Sequence, residues 1–238
     1  LTNQDNIDQL VNKPATWNEK FSILSIHFLE DHPGLAANPS LNVWGWSCKD
    51  QNAYVVPTEG GQSALMAFCR SAYERWPFLH DIEYPPAWAV DPGKDQTKGP
   101  QYYDGYGCAN LGISDSTYQY SISALMLHEL MHFPGLFADV PGYADHITTE
   151  FSKDIPHFIS DFDGPYPPHG YGPWGSKIIN SNHPKDKRGL AWKGIWNADN
   201  FACYAASKYW EKTCGMTFQV CPNRSAAWKN RREPPWPF

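Results

Sequence analysis

The chain has 238 residues, 42% of them apolar and 15% aromatic, and a formal net charge of −6. That apolar share supports a folded core and excludes general disorder, and the length fits a single domain over 1–238, open to division into two lobes around a cleft, 1–135 and 136–238. The acidic balance, with the short clusters Lys185-Asp186-Lys187-Arg188 and Lys229-Asn230-Arg231-Arg232 read as solvated surface, argues against nucleic acid as a partner, and no stretch is apolar enough to span a membrane.

In chain order, Thr16-Trp17-Asn18-Glu19 has the form of a capping box, with Trp17, Phe21, Leu24 and Phe28 following at helical spacing, so a core-facing helix is expected there. Residues 52–56 read as a strand. A second helix is expected over 61–76, with Leu65, Phe68 and Tyr73 on its apolar face and Cys69 tying it to another element. Short strand signals recur at 88–90 and 117–121, which gives an α+β chain, mainly helical with a small sheet.

The third helix carries the chemistry. Leu127-His128-Glu129-Leu130-Met131-His132 contains His-Glu-x-x-His, and residues four apart on a helix share one face, so both imidazoles can reach one metal ion. Glu129 follows the first of them and could take a proton from water at that ion. Chance alone gives this pattern in roughly one per cent of chains of this composition, so its surroundings decide. They are favourable: Ser121 and Ser123 offer N-caps, helix formers follow, Phe133 before Pro134 leaves helical geometry, and Gly135 can take a left-handed stop. A helix ending there lets the chain return with a third ligand, as a catalytic zinc site requires.

A fourth helix is expected from Asn197 or Asp199 through Phe201, Tyr204, Ala205 and Tyr209 to Cys214 and Gly215. The six cysteines lack the paired spacing of a structural zinc site and read as disulfides, with Cys214 to Cys221 the local pairing suggested. Asn223-Arg224-Ser225 is a glycosylation sequon. Together these suit a secreted protein, and since residue 1 is followed by no charged and apolar leader, the sequence reads as a mature form.

His128-Glu129-Leu130-Met131-His132-Phe133-Pro134-Gly135, then Tyr171-Gly172, then Asn197-Ala198-Asp199-Asn200-Phe201-Ala202 resemble, in order and chemistry, the motifs of the deuterolysin-type aspzincin metallopeptidases, secreted mostly by fungi. The resemblance covers roughly 121–221. It implies a zincin-like fold, zinc as cofactor on two histidines and one aspartate, protein or peptide substrates, and Tyr171 as hydrogen-bond donor to the oxyanion. The chain departs from that family in having no Gly-Thr-x-Asp-x-x-Tyr-Gly loop after the second histidine. The third ligand is therefore open among Asp161, Asp163, Asp139 and His169. Asp161 is favoured because it ends an apolar-polar alternation, whereas Asp163 before Gly164 suits a turn.

Asp199 has two readings, an N-terminal helix cap or a carboxylate orienting a ligand histidine through its second nitrogen. The expected reaction is zinc-assisted amide hydrolysis by a monomeric, secreted endopeptidase with Glu129 as base. The alternative is a non-catalytic zinc- or glycan-binding protein, with Tyr166, Tyr171, Trp174, Trp192 and Trp196 as candidate sugar platforms.

Overall fold

The computed structural model describes residues 21–42 and 45–235, and they form an α+β structure of helices with two small sheets. In chain order the elements are β1 (Leu24–Leu29), α1 (Pro33–Ala37), β2 (Ala53–Thr58), β3 (Ser63–Cys69), α2 (Arg70–Arg75), α3 (Leu79–Glu83), α4 (Ile122–Met131), α5 (Tyr143–His146), β4 (Glu150–Ser152), β5 (Ile155–Pro156), α6 (Gly172–Asn182), α7 (Ala198–Cys214) and α8 (Arg224–Ala227), joined in places by 3-10 turns. The chain divides into two compact units, one of Leu1–Cys69 and His132–Phe158, the other of Arg70–Met131 and Ile159–Phe238. It passes between them after Cys69, Met131 and Phe158, three crossings where the sequence suggests one division near residue 135.

In the first unit β3 is the central strand, with β1 parallel on one side and β2 antiparallel on the other. This corrects two helix expectations. Leu24, Ile26 and Phe28 alternate with Ser25 and His27, a period of two that serves the β1 edge strand, where Phe28 stays exposed. The capping-box residues 16–19 lie outside the described residues. Ser63–Cys69 is a nearly continuous apolar run, and such a run fits a strand covered on both faces as well as it fits a helix. Helix begins only at Arg70, and the expected strand at 52–56 is β2. Leu35, Tyr54, Val56, Ala67 and Cys69 form the core of this unit, and Cys69 is bonded to Cys48.

The second unit is built on α7, against which α4 and α6 pack. Trp210 is wholly buried with Ile82, Leu111 and Phe218, and its indole N–H donates to the Gln119 carbonyl at 3.0 Å. A side chain of that size contributes several kcal/mol, and truncation to alanine would cost about 3–5 kcal/mol. Tyr120, Ala124 and Ala202 form a second cluster between α4 and α7, and Phe162, Ile179 and Trp192 form a third. α7 runs as the sequence predicts, from Asn197 at its N-cap to Gly215, which takes the left-handed conformation at its C-cap.

Four further expectations are corrected in this unit. Residues 88–90 and 117–121 form 3-10 turns at Ala87–Ala89 and Thr117–Gln119, the second capped by Ser116, whose hydroxyl accepts from the Tyr118 N–H at 3.3 Å. Cys214 pairs with Cys108, across a sequence separation of 106, and Cys203 and Cys221 are free thiols. The basic run near the C-terminus is not all solvated, because the Arg231 side chain turns inward over the rings of Tyr106 and Tyr118.

Candidate metal centre

α4 forms because Ser121 starts it, its carbonyl accepting from Ala124 and Leu125 N–H at 3.0 and 3.1 Å and its hydroxyl standing 3.4 Å from Ala124 N. It stops at Met131, after which Phe133 is extended and Pro134 begins a 3-10 turn. Gly135 does not take the left-handed conformation expected of it. It sits inside that turn, and a Cβ on it would stand 2.7 Å from the Phe133 ring, so the residue is small to admit the buried phenyl group.

His128 and Glu129 lie on α4 and His132 follows its last residue, all three buried. Asp161 comes from the segment after β5. One ligand atom each from His128, His132 and Asp161 lie within 4.8 Å of one another, a group that could hold a metal ion. The other candidates are elsewhere in character: Asp163 is exposed and paired with Lys187 at 2.6 Å, Asp139 is exposed, and the His169 ring lies against Tyr171 and Trp228. None of these three belongs to the group that could hold a metal ion among the described residues.

Asp161 is delivered by a clamp. Ser160 makes a parallel bridge with Asn197, its N–H donating to the Trp196 carbonyl at 2.9 Å and its carbonyl accepting from Ala198 N–H at 3.0 Å. The Asn197 side chain, fully buried, accepts from Phe162 N–H at 2.9 Å and donates to the Gly170 carbonyl at 3.0 Å and to Asn200 Oδ1 at 2.8 Å. Both sides of Asp161 are thus tied to the start of α7, and every polar atom of the buried amide is used.

The second nitrogen of His128 is also held. Its Nδ1 lies 2.7 Å from Asp199 Oδ1, which also accepts from the Tyr120 hydroxyl at 2.7 Å. Asp199 Oδ2 accepts from the Gly172 N–H. Of the two readings of Asp199, the orienting carboxylate is the one its contacts match, while Asn197 occupies the N-cap position. Gly172, whose N–H meets this carboxylate, has φ +71°, a conformation that favours glycine. His128 therefore has a carboxylate at each nitrogen, Asp161 standing 3.4 Å from Nε2. Burial opposes charge on the imidazole, but Asp161 and Asp199 outweigh it and raise its pKa well above the ordinary value, marking a position that favours a cation.

Tyr171 stands beside this group. Its hydroxyl donates to Asp161 Oδ2 at 3.0 Å and its ring centre is 5.8 Å from that of His128. The Asp161 charge, then burial, then the Asp161 hydrogen bond push the phenol far above its usual range, so it is a donor at any working pH. His132 is stacked on Phe158, centroids 5.5 Å apart and planes at 16°. Of the candidate sugar platforms, Trp192 is buried, Trp196 packs against it, and Lys177 covers Trp174, while Tyr166 and Tyr171 are exposed.

Sequence reasoning missed Tyr120 and Asn197 as parts of this arrangement. Tyr120 carries no local signal beyond its place ahead of Ser121, and Asn197 reads locally as a helix cap. No family model, curated protein or solved structure matches the chain.

Proposed function

We propose that the protein is a secreted zinc-dependent endopeptidase of zincin-like fold, related in design to the aspzincin enzymes that its motifs resemble. The observation that carries this is the group formed by His128, His132 and Asp161, two imidazole nitrogens and one carboxylate oxygen. A tetrahedral ion with bonds of about 2.1 Å sets neighbouring ligand atoms roughly 3.4 Å apart. His128 Nε2 and Asp161 Oδ1 are separated by 3.4 Å, so this pair fits zinc without rearrangement. Three protein ligands leave a fourth position, which is the pattern of catalytic rather than structural sites.

Zinc bound there supplies a Lewis acid that acidifies water and polarises a peptide carbonyl. Glu129, adjacent to His128 on α4, takes one proton from the attacking water as the water oxygen bonds to the carbonyl carbon. The C–N bond then breaks, and Glu129 returns that proton to the leaving amine, so one water is consumed and an acid and an amine are formed. Asp199 keeps the His128 ring in the orientation that presents Nε2. Tyr171, whose hydroxyl stands beside Asp161, would hydrogen-bond the oxyanion by turning its proton from the Asp161 carboxylate.

Export is supported by the disulfides Cys48–Cys69 and Cys108–Cys214, which persist in oxidising compartments. Among the described residues no helix is long and apolar enough to cross a membrane. Asn223 of the sequon is exposed, and its Oδ1 accepts from Ala226 N–H at 2.9 Å, which leaves the amide nitrogen to carry a glycan.

The test is zinc content and cleavage of an unfolded protein substrate by wild type, Glu129→Gln and His128→Ala. Wild type should bind one zinc and cleave, Glu129→Gln should bind zinc and lose cleavage by about a thousandfold or more, and His128→Ala should lose both. Cleavage that persists in Glu129→Gln and resists chelation would sink the proposal.

A further inference from the structure

Residues 228–232 run beside the turn that precedes α4. Lys229 N–H donates to Thr117 Oγ1 at 2.9 Å, and the Thr117 hydroxyl returns a bond to the Lys229 carbonyl at 3.0 Å. The hydroxyls of Tyr118 and Tyr106 donate to the carbonyls of Asn230 and Arg232 at 3.2 and 2.7 Å. Between these clips Arg231 points inward. Its Nη1 donates to the Tyr120 carbonyl at 2.8 Å and its Nη2 to the Tyr118 carbonyl, and its guanidinium lies 5.4 Å from the centre of the Tyr106 ring. Gly105 makes the room, since a Cβ there would stand 2.7 Å from Arg231 Nε.

Tyr120, gripped at its carbonyl by Arg231, is the residue whose hydroxyl donates to Asp199, and Asp199 holds His128 Nδ1. We infer that Arg231 is a positioning residue for the metal centre: from a segment near the C-terminus it fixes Tyr120, Tyr120 fixes Asp199, and Asp199 sets the ring of His128. A planar fork suits this task, because one guanidinium can engage two carbonyls two residues apart and so fix the turn between them, where an ammonium offers only a point charge. Outer partners of a metal-bound histidine commonly govern metal affinity by tenfold or more. Arg231 acts two residues further out than Asp199, through the Tyr120 carbonyl that it grips.

This inference rests on the metal reading above, and the experiment separates the two. Zinc affinity is measured by chelator competition for wild type, Arg231→Gln, Tyr120→Phe, the double variant and Arg231→Lys, alongside the downfield proton resonance of His128 Nδ1–H in metal-free protein. Each of the first two variants should weaken zinc by about tenfold, the double variant should match Tyr120→Phe within about twofold, and Arg231→Lys should recover part of the loss. The Nδ1–H resonance should move upfield in Arg231→Gln as the bond to Asp199 loosens.

An Arg231→Gln protein with unchanged zinc affinity overturns the inference, as does a double variant whose loss is the product of the two single losses. Should wild type and His128→Ala prove alike in zinc binding, the metal reading fails, and the resonance alone then decides: a shift upholds the positioning role and constancy refutes it. If Arg231→Gln does not fold, Thr117→Val, which opens the neighbouring clip, is read in its place with the same expected directions.

Discussion

Asp199 Oδ1 stands 2.7 Å from His128 Nδ1, although the two residues are 71 positions apart in the chain. The same carboxylate takes the Tyr120 hydroxyl and the Gly172 N–H, so α4, α7, the start of α6 and the turn before α4 converge on one side chain.

Asp199→Asn should therefore weaken metal binding by about 10- to 100-fold while leaving the fold in place. The amide keeps the size of the carboxylate but lacks its charge and presents an N–H2 to one of three donors. Chelator competition and circular dichroism on the same sample check the two halves of this expectation.

Asn197→Ala should lower stability by roughly 3 kcal/mol, because it leaves the Phe162 N–H and the Gly170 carbonyl buried and unsatisfied. Gly170→Ala should be at least as harmful, since a Cβ there would collide with the Asn197 amide. Urea denaturation would show both, and the loss of the clamp on Asp161 should appear as weaker zinc binding in the protein that still folds.

The two disulfides should differ in worth. Closing a loop of 106 residues removes more freedom from the unfolded chain than closing one of 21. On chain-entropy grounds, Cys108→Ser should cost about 5 kcal/mol and Cys48→Ser about 3 kcal/mol. Thermal unfolding of the two single variants under non-reducing conditions gives the ranking, and equal midpoints would count against it.

Acid should act on the first unit through His32. The Gly34 N–H donates to its Nδ1 at 3.0 Å, so the ring proton sits on Nε2, which faces the Ser25 hydroxyl at 3.0 Å. Burial, then the neighbouring His27, depress its pKa below the ordinary 6.5, while the hydrogen bond to Ser25 opposes them. The carboxylate next in the chain, Asp31, is engaged by the Tyr54 hydroxyl and Cys48 N–H. A depressed histidine stabilises the fold above its unfolded value and loses that contribution as pH falls through its folded value, with a slope of up to about 1.4 kcal/mol per pH unit. The urea midpoint of wild type should thus drop between pH 7 and 5 more steeply than that of His32→Asn, which keeps a capping acceptor but does not titrate.

Local signals were sufficient where one helix carries its own start, stop and chemistry, as α4 and α7 do. They were insufficient where an apolar run satisfies two periods at once: Leu24 and Phe28 fit a helix, yet with Ile26 they also alternate, and pairing with β3 decided the matter. In the candidate site, the histidine pair and Glu129 are sequence-local. Asp161 was separable from Asp163 only by its alternation, and the clamp that presents it depends on Asn197, 35 residues from Phe162. Arg231 was unreadable for a plainer reason. Nothing in a basic run tells which cation will find a slot between tyrosines.

The reach of these contacts has a temporal side. As the chain is made from N- to C-terminus, α4 emerges with both histidines before Asp161, then Asp199, then residues 228–232 exist. The two imidazoles therefore precede both carboxylates that face His128. The proposed metal would thus meet its full ligand set only once Asp161 has followed the histidines, and an oriented His128 ring only once Asp199 has.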